Sequence, residues 1–111
     1  MRQRFLAAGI ALASLAAPSA HADEPVALSV TITDGRIEPA RAEVPAGQRI
    51  RIAVRNAGNG PCEFESSALR IEKVLAGGAS SAVIVHPLSV GTYRFFDEFH
   101  PEAGEFVLSA K

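Results

Sequence analysis

Turn signals interrupt this sequence about every 8–12 residues from Val26 onward, and no segment shows a helical apolar period over about ten residues or more. Asp34-Gly35, Pro45-Ala46-Gly47, Asn56-Ala57-Gly58-Asn59-Gly60-Pro61, Gly77-Gly78 and Pro87 to Gly91 all break the chain. The pieces between them alternate. Arg49 to Arg55 reads R-I-R-I-A-V-R, which puts Ile50, Ile52 and Val54 on one side and the arginines on the other. Val26, Leu28, Val30 and Ile32 share a face in the same way. Further extended pieces run from Glu38-Pro39 to Val44, Cys62 to Ser66, about Leu69 to Lys73, Ala82 to Val85, Thr92 to Phe96 and Phe106 to Ala110. About seven or eight short strands in this rhythm predict an all-β sandwich.

The N-terminus reads as a leader. Arg2 and Arg4 precede an apolar run from Phe5 to Ala17, and Ala20-His21-Ala22 gives the small-residue pattern of a cleavage site before Asp23. The run falls short of the roughly 20 residues that span a bilayer. The expected organisation is a cleaved signal peptide over 1–22 and one small domain over 23–111, exported to the periplasm. Cleavage removes two of the eleven basic residues and none of the twelve acidic ones. The remaining acidic balance excludes nucleic acid as a partner and suits cations. One cysteine, Cys62, excludes an internal disulfide.

The chemistry-bearing residues gather in two places. "CEFES" carries Cys62, Glu63 and Glu65, and "YRFFDEFHPEAGE" carries Asp97, Glu98, His100, Glu102 and Glu105. In an extended Cys62 to Ser66, Cys62 shares the side of Phe64, which is the core side. Glu63 and Glu65 then project together from the opposite side as a cation platform, or as a solvated strand face. Glu72 on the next segment either joins them or pairs with Arg70 or Lys73. His100 is a ligand candidate among acids, the plain alternative being an exposed loop histidine. Phe95, Phe96 and Phe99 read as core and apolar collar. No G-x-S-x-G, H-E-x-x-H or phosphate-binding loop occurs.

The strand ending in N-x-G, the turn Gly-Thr-Tyr and the C-terminal strand-to-loop resemble the cupredoxins, Greek-key β-sandwiches that bind copper at one end. The pieces "VPAGQRIRIAVRNAG" and "GTYRFFDEFHPEAG" carry the likeness. "EFES", "LRIEKV" and "YRFFDEFHP" are more specifically similar to the cupredoxin-like periplasmic proteins associated with bacterial high-affinity iron permeases. The resemblance places Cys62 at a copper histidine position, Asp97 at the cysteine position, His100 at the second histidine and Glu105 at the methionine. Only His100 keeps its ligand type, so a blue-copper centre is not expected. Imidazole with carboxylates suits iron, manganese or zinc.

Three functions follow as expectations. The first is an iron-binding protein of uptake, using His100, Asp97, Glu98, Glu63, Glu65, Cys62 and Glu105. It would hand the ion to a membrane permease or another periplasmic metal-binding protein, or assist Fe(II) oxidation with a copper-loaded partner as electron acceptor. The second is a metal-free module that docks on a membrane transport partner. The third is a Cu(I) carrier using Cys62 and His100, since thiolate suits that ion.

Overall fold

The computed structural model describes residues 24–111; the signal peptide expected over 1–22 lies outside them. Among the described residues nine strands form two sheets. They are β1 (Val26–Thr33), β2 (Arg36–Glu38), β3 (Arg41–Val44), β4 (Ile50–Asn56), β5 (Cys62–Ser66), β6 (Ile71–Leu75), β7 (Ser80–Val85), β8 (Gly91–Asp97) and β9 (Phe106–Ala110). One sheet runs β2-β1-β4-β7 and the other β3-β9-β8-β5-β6. The pairs β1/β4 and β3/β9 are parallel and the rest antiparallel. No described helix is long and apolar enough to cross a membrane.

The alternation read from the sequence holds in β4, where Ile50, Ile52, Val54 and Asn56 are buried and Arg51 and Arg55 exposed. It holds in β1, whose inward residues Val30 and Ile32 are buried. The strand count rises above the expected seven or eight because the extended piece before Val44 is two strands, not one. Asp34 and Gly35 take positive φ (50° and 89°), which matches a tight two-residue hairpin. That hairpin sends β2 back along β1, with Thr33 opposite Arg36. Pro39 then interrupts the ladder, having no N–H to give. The chain crosses to the other sheet, where β3 pairs β9.

The core lies between the sheets. Phe64, Phe95 and Phe106 of the larger sheet are fully buried, against Ile32, Ile50, Ile52 and Val54 of the smaller. Phe64 stacks on Phe95 at 4.9 Å between centroids, and Phe95 meets Phe106 tilted at 5.8 Å. Burial of such a ring contributes about 1.5–3 kcal/mol. Phe95 and Phe96 do not share the core, because neighbours on a strand point to opposite faces. Phe96 lies under the Arg94 guanidinium, 4.5 Å from its carbon, and Phe99 is exposed.

Asn56 ends β4 as a buried polar side chain. Its Nδ2 donates to the carbonyls of Gly60 (2.9 Å), Leu75 (3.1 Å) and Ala76 (3.2 Å), and its Oδ1 accepts from Gly58 N (3.0 Å). The N-x-G segment is thus a buried polar clasp between β4, β6 and the loop before β5. From sequence it reads only as loop.

Candidate metal centre

Strand β5 sets the geometry. Cys62, Phe64 and Ser66 point into the core, and Glu63 and Glu65 point out. Strand β6 pairs antiparallel with it, and the register puts Glu72 directly opposite Glu65 and Val74 opposite Glu63. One carboxylate oxygen from each of Glu63, Glu65 and Glu72 lies within 4.8 Å of the others. Like charges placed opposite each other across a ladder are destabilising. Among the described residues, no arginine or lysine ion-pairs with any of the three. A cleft of about 430 Å³ opens beside them, lined by Glu65, Ser66, Ser67, Arg70, Ile71 and Glu72.

The electrostatics follow from the crowding. Hydrogen bonding with the Glu98 carboxyl, burial, and then the charges of Glu98, Glu72 and Glu63 push the Glu65 carboxyl up to about 7. Burial first, then Glu72, Glu98 and Asp97, raises Glu63 as well. Glu65 Oε2 is inaccessible to solvent and has no hydrogen-bond partner. Glu98 reaches this group because its backbone N–H donates to Glu63 O at 2.9 Å, tethering the end of β8 to β5.

Asp97 ends β8 on the core side, opposite Phe64, and is fully buried. Its Oδ1 accepts from Glu63 N (2.9 Å) and Phe99 N (3.0 Å), and its Oδ2 lies 2.8 Å from His100 Nδ1. The His100 N–H also donates to the Asp97 carbonyl at 2.9 Å, which folds the loop into a turn. The His100 side chain is 43% exposed. The Asp34-Gly35 hairpin backs this turn. A Cβ on Gly35 would sit 2.5 Å from the Cβ atoms of both His100 and Ala103, so only glycine fits.

The other candidates lie apart. Cys62 is buried, 2% exposed, and burial followed by the Asp97 charge pushes its thiol up to about 11. Glu105 is ion-paired to Arg94. Neither converges with two further ligand atoms, nor does His100, among the described residues. Sequence reasoning raised Glu72 only as an option. Its place in the group depends on the β5–β6 register, which no local signal sets.

The sequence profile of the cupredoxin-like domain matches residues 5–108. The chain belongs to the cupredoxin-like domain family. A relative from Rickettsia prowazekii (strain Madrid E), the uncharacterized protein RP394, is 32% identical over 101 residues, covering 91% of this chain and 81% of its own. Among solved structures, the metal-binding domain of the Cu(I)-exporting P-type ATPase CopA from Streptococcus pneumoniae D39, with Cu(I), aligns with a TM-score of 0.68 at 13% identity, over 80% of this chain and 97% of that one. Reduced auracyanin from Roseiflexus castenholzii aligns with a TM-score of 0.67 at 13% identity, over 78% and 97%. At these identities the likeness is one of fold.

Copper of the blue type does not fit this cupredoxin-like domain. The position that resemblance gives to its thiolate holds Asp97, whose two oxygens are taken by protein donors. The one thiol of the chain is buried and held protonated. The outward glutamates fit a hard cation instead. They offer oxygen only, no arginine or lysine among the described residues offsets their repulsion, and one buried oxygen lacks a hydrogen-bond partner.

Proposed function

We propose that this cupredoxin-like domain is exported by the leader over 1–22 and binds iron in the periplasm in the service of uptake. Glu63, Glu65 and Glu72 are the primary oxygen donors, with Glu98 in reach of Glu65. His100, with Asp97 beneath it, lies on the loop that Glu63 and Glu98 tie to the same strand. The observation that carries the reading is the orphaned, buried Oε2 of Glu65 inside three converging carboxylates. A cation would satisfy that oxygen and cancel the repulsion at once. Carboxylates favour Fe(III) over Fe(II), so the site would hold the oxidised ion more tightly. That property suits delivery to a membrane permease, or oxidation of Fe(II) where a partner takes the electron. Cys62 and Glu105 stand outside the donor set, one protonated in the core and the other paired with Arg94.

The test is an anaerobic titration of the purified protein with Fe(II), Zn(II), Cu(II) and Cu(I), repeated with Glu65→Gln/Glu72→Gln and with Cys62→Ser. We expect Fe(II) to bind one site that the double glutamate variant loses and Cys62→Ser keeps. Cu(I) binding that Cys62→Ser abolishes, with no Fe(II) binding, would replace this reading with the copper-carrier function. No binding of any ion would leave the docking module as the function.

A further inference from the structure

Asp97 is placed by family resemblance where a metal ligand belongs, yet its geometry gives it a different task. A carboxylate only accepts hydrogen bonds. Its Oδ2 lies 2.8 Å from His100 Nδ1, so that ring nitrogen carries the hydrogen. In the neutral ring the other nitrogen, Nε2, is then bare and able to donate to a metal. Asp97 itself cannot turn toward an ion. Its side chain is fully buried, and Oδ1 is held by two backbone amides from different parts of the chain, Glu63 N and Phe99 N.

We propose that Asp97 is a positioning residue and not a metal ligand: it locks His100 in the Nδ1–H form and presents Nε2 as the open donor of the loop. The proposal rests on the proposed function only for the nature of the ion that Nε2 meets. The same carboxylate–imidazole arrangement fixes ring orientation and raises donor strength wherever a histidine binds a metal. The two amides at Oδ1 add a second consequence. They fix which way an asparagine would sit at this position. Its carbonyl oxygen would stay with Glu63 N and Phe99 N, and its NH₂ would face His100 Nδ1. An NH₂ donates, so Nδ1 would have to accept and the ring hydrogen would move to Nε2.

The experiment is ¹⁵N NMR of the imidazole nitrogens in metal-free protein at alkaline pH, where imidazole is neutral, for the unaltered chain and for Asp97→Asn. His86, which is exposed, is the internal control. We expect the His100 hydrogen on Nδ1 in the unaltered protein and on Nε2 in Asp97→Asn, with no change at His86. Zn(II), a diamagnetic probe, should then shift His100 Nε2 in the unaltered protein while Nδ1 keeps its hydrogen. Its affinity there should fall at least about tenfold in Asp97→Asn. A His100 hydrogen on Nε2 in the unaltered protein overturns the proposal, and that measurement needs no variant. So does loss of the Nδ1 hydrogen on adding Zn(II), which would mean that the ion had taken Nδ1 in place of Asp97, with the ring hydrogen moved to Nε2. Failure of the glutamates to take a hard cation sinks the proposed function but leaves these ring measurements unchanged.

Discussion

Replacing Glu65 by glutamine removes the residue on which the carboxylate group is centred, and its effect can be worked from one quantity. The Glu65 carboxyl is raised to about 7 by the hydrogen bond with Glu98, by burial and by the charges of Glu98, Glu72 and Glu63. A carboxylate must lose its proton to bind a cation. The proton therefore weakens apparent affinity about twofold at pH 7 and about tenfold for each pH unit below it. The ion should release about half a proton from Glu65 at pH 7 and nearly a whole one at about pH 6. The assay is calorimetric titration with Mn(II), a hard ion that stays in one oxidation state in air, between about pH 6 and pH 8 in two buffers of different ionisation enthalpy. Glu65→Gln should lower affinity at pH 8 at least about tenfold, since losing a direct ligand costs no less than losing an outer one. It should also flatten the pH dependence. The raised value carries a stability consequence of definite sign. A carboxyl that is harder to ionise in the folded chain stabilises most below its ordinary value of 4.5, and that contribution is lost as pH rises to about 7. The metal-free protein should thus melt lower at pH 8 than Glu65→Gln does, and added Mn(II) should reverse the order. Affinity that does not change between pH 6 and pH 8, or Glu65→Gln binding as tightly as the unaltered protein, would refute the reasoning.

Three further outcomes follow from the geometry. Asn56→Ala strips donors from the carbonyls of Gly60, Leu75 and Ala76 and should cost about 1–3 kcal/mol, read as a lower urea midpoint with an unchanged slope. Gly35→Ala sets a Cβ against the His100 turn at φ +89° and should cost about 1–3 kcal/mol while moving the His100 and Ala103 amide resonances. A tolerated alanine with those resonances in place would remove the hairpin as a support of the loop. Cys62, buried with its thiol near 11, should react with iodoacetamide at about pH 8 at least about a hundredfold more slowly than in urea-unfolded chain, followed by mass spectrometry.

What could be read from the chain, and what could not, divides along the range of the interactions. The side-chain period of two made β4 and β5 legible, including the outward pair Glu63 and Glu65 and the inward Cys62 and Phe64. Asp34-Gly35 announced a turn because those residue types accept positive φ, though not the short strand β2 that it turns into. Glu72 was less legible. The turn that sets its register places Arg70 at φ 55°, a conformation for which arginine gives no signal. Asp97 read as a metal-ligand candidate, at the position that resemblance gives to a copper cysteine, and nothing in the sequence marked it as buried. Its burial depends on amides from Glu63 and Phe99, and the first of these comes from another strand. The division of residues 36–44 between two sheets rests likewise on β9, which lies far along the chain from its partner β3, whereas β2 pairs with its neighbour β1.

The placing of all three glutamates on one hairpin bears on how the protein reaches its native state. Strands β5 and β6 are neighbours in sequence, whereas β1 with β4 and β3 with β9 join remote segments. Closing a short loop comes before closing long ones, and long-range strand pairing sets the pace of such sandwiches. The hairpin is thus the natural early element, and the Glu65–Glu72 opposition burdens it from the start. Refolding should therefore quicken when a divalent cation is present from the first moment, and not when the cation is added after the sheets have closed.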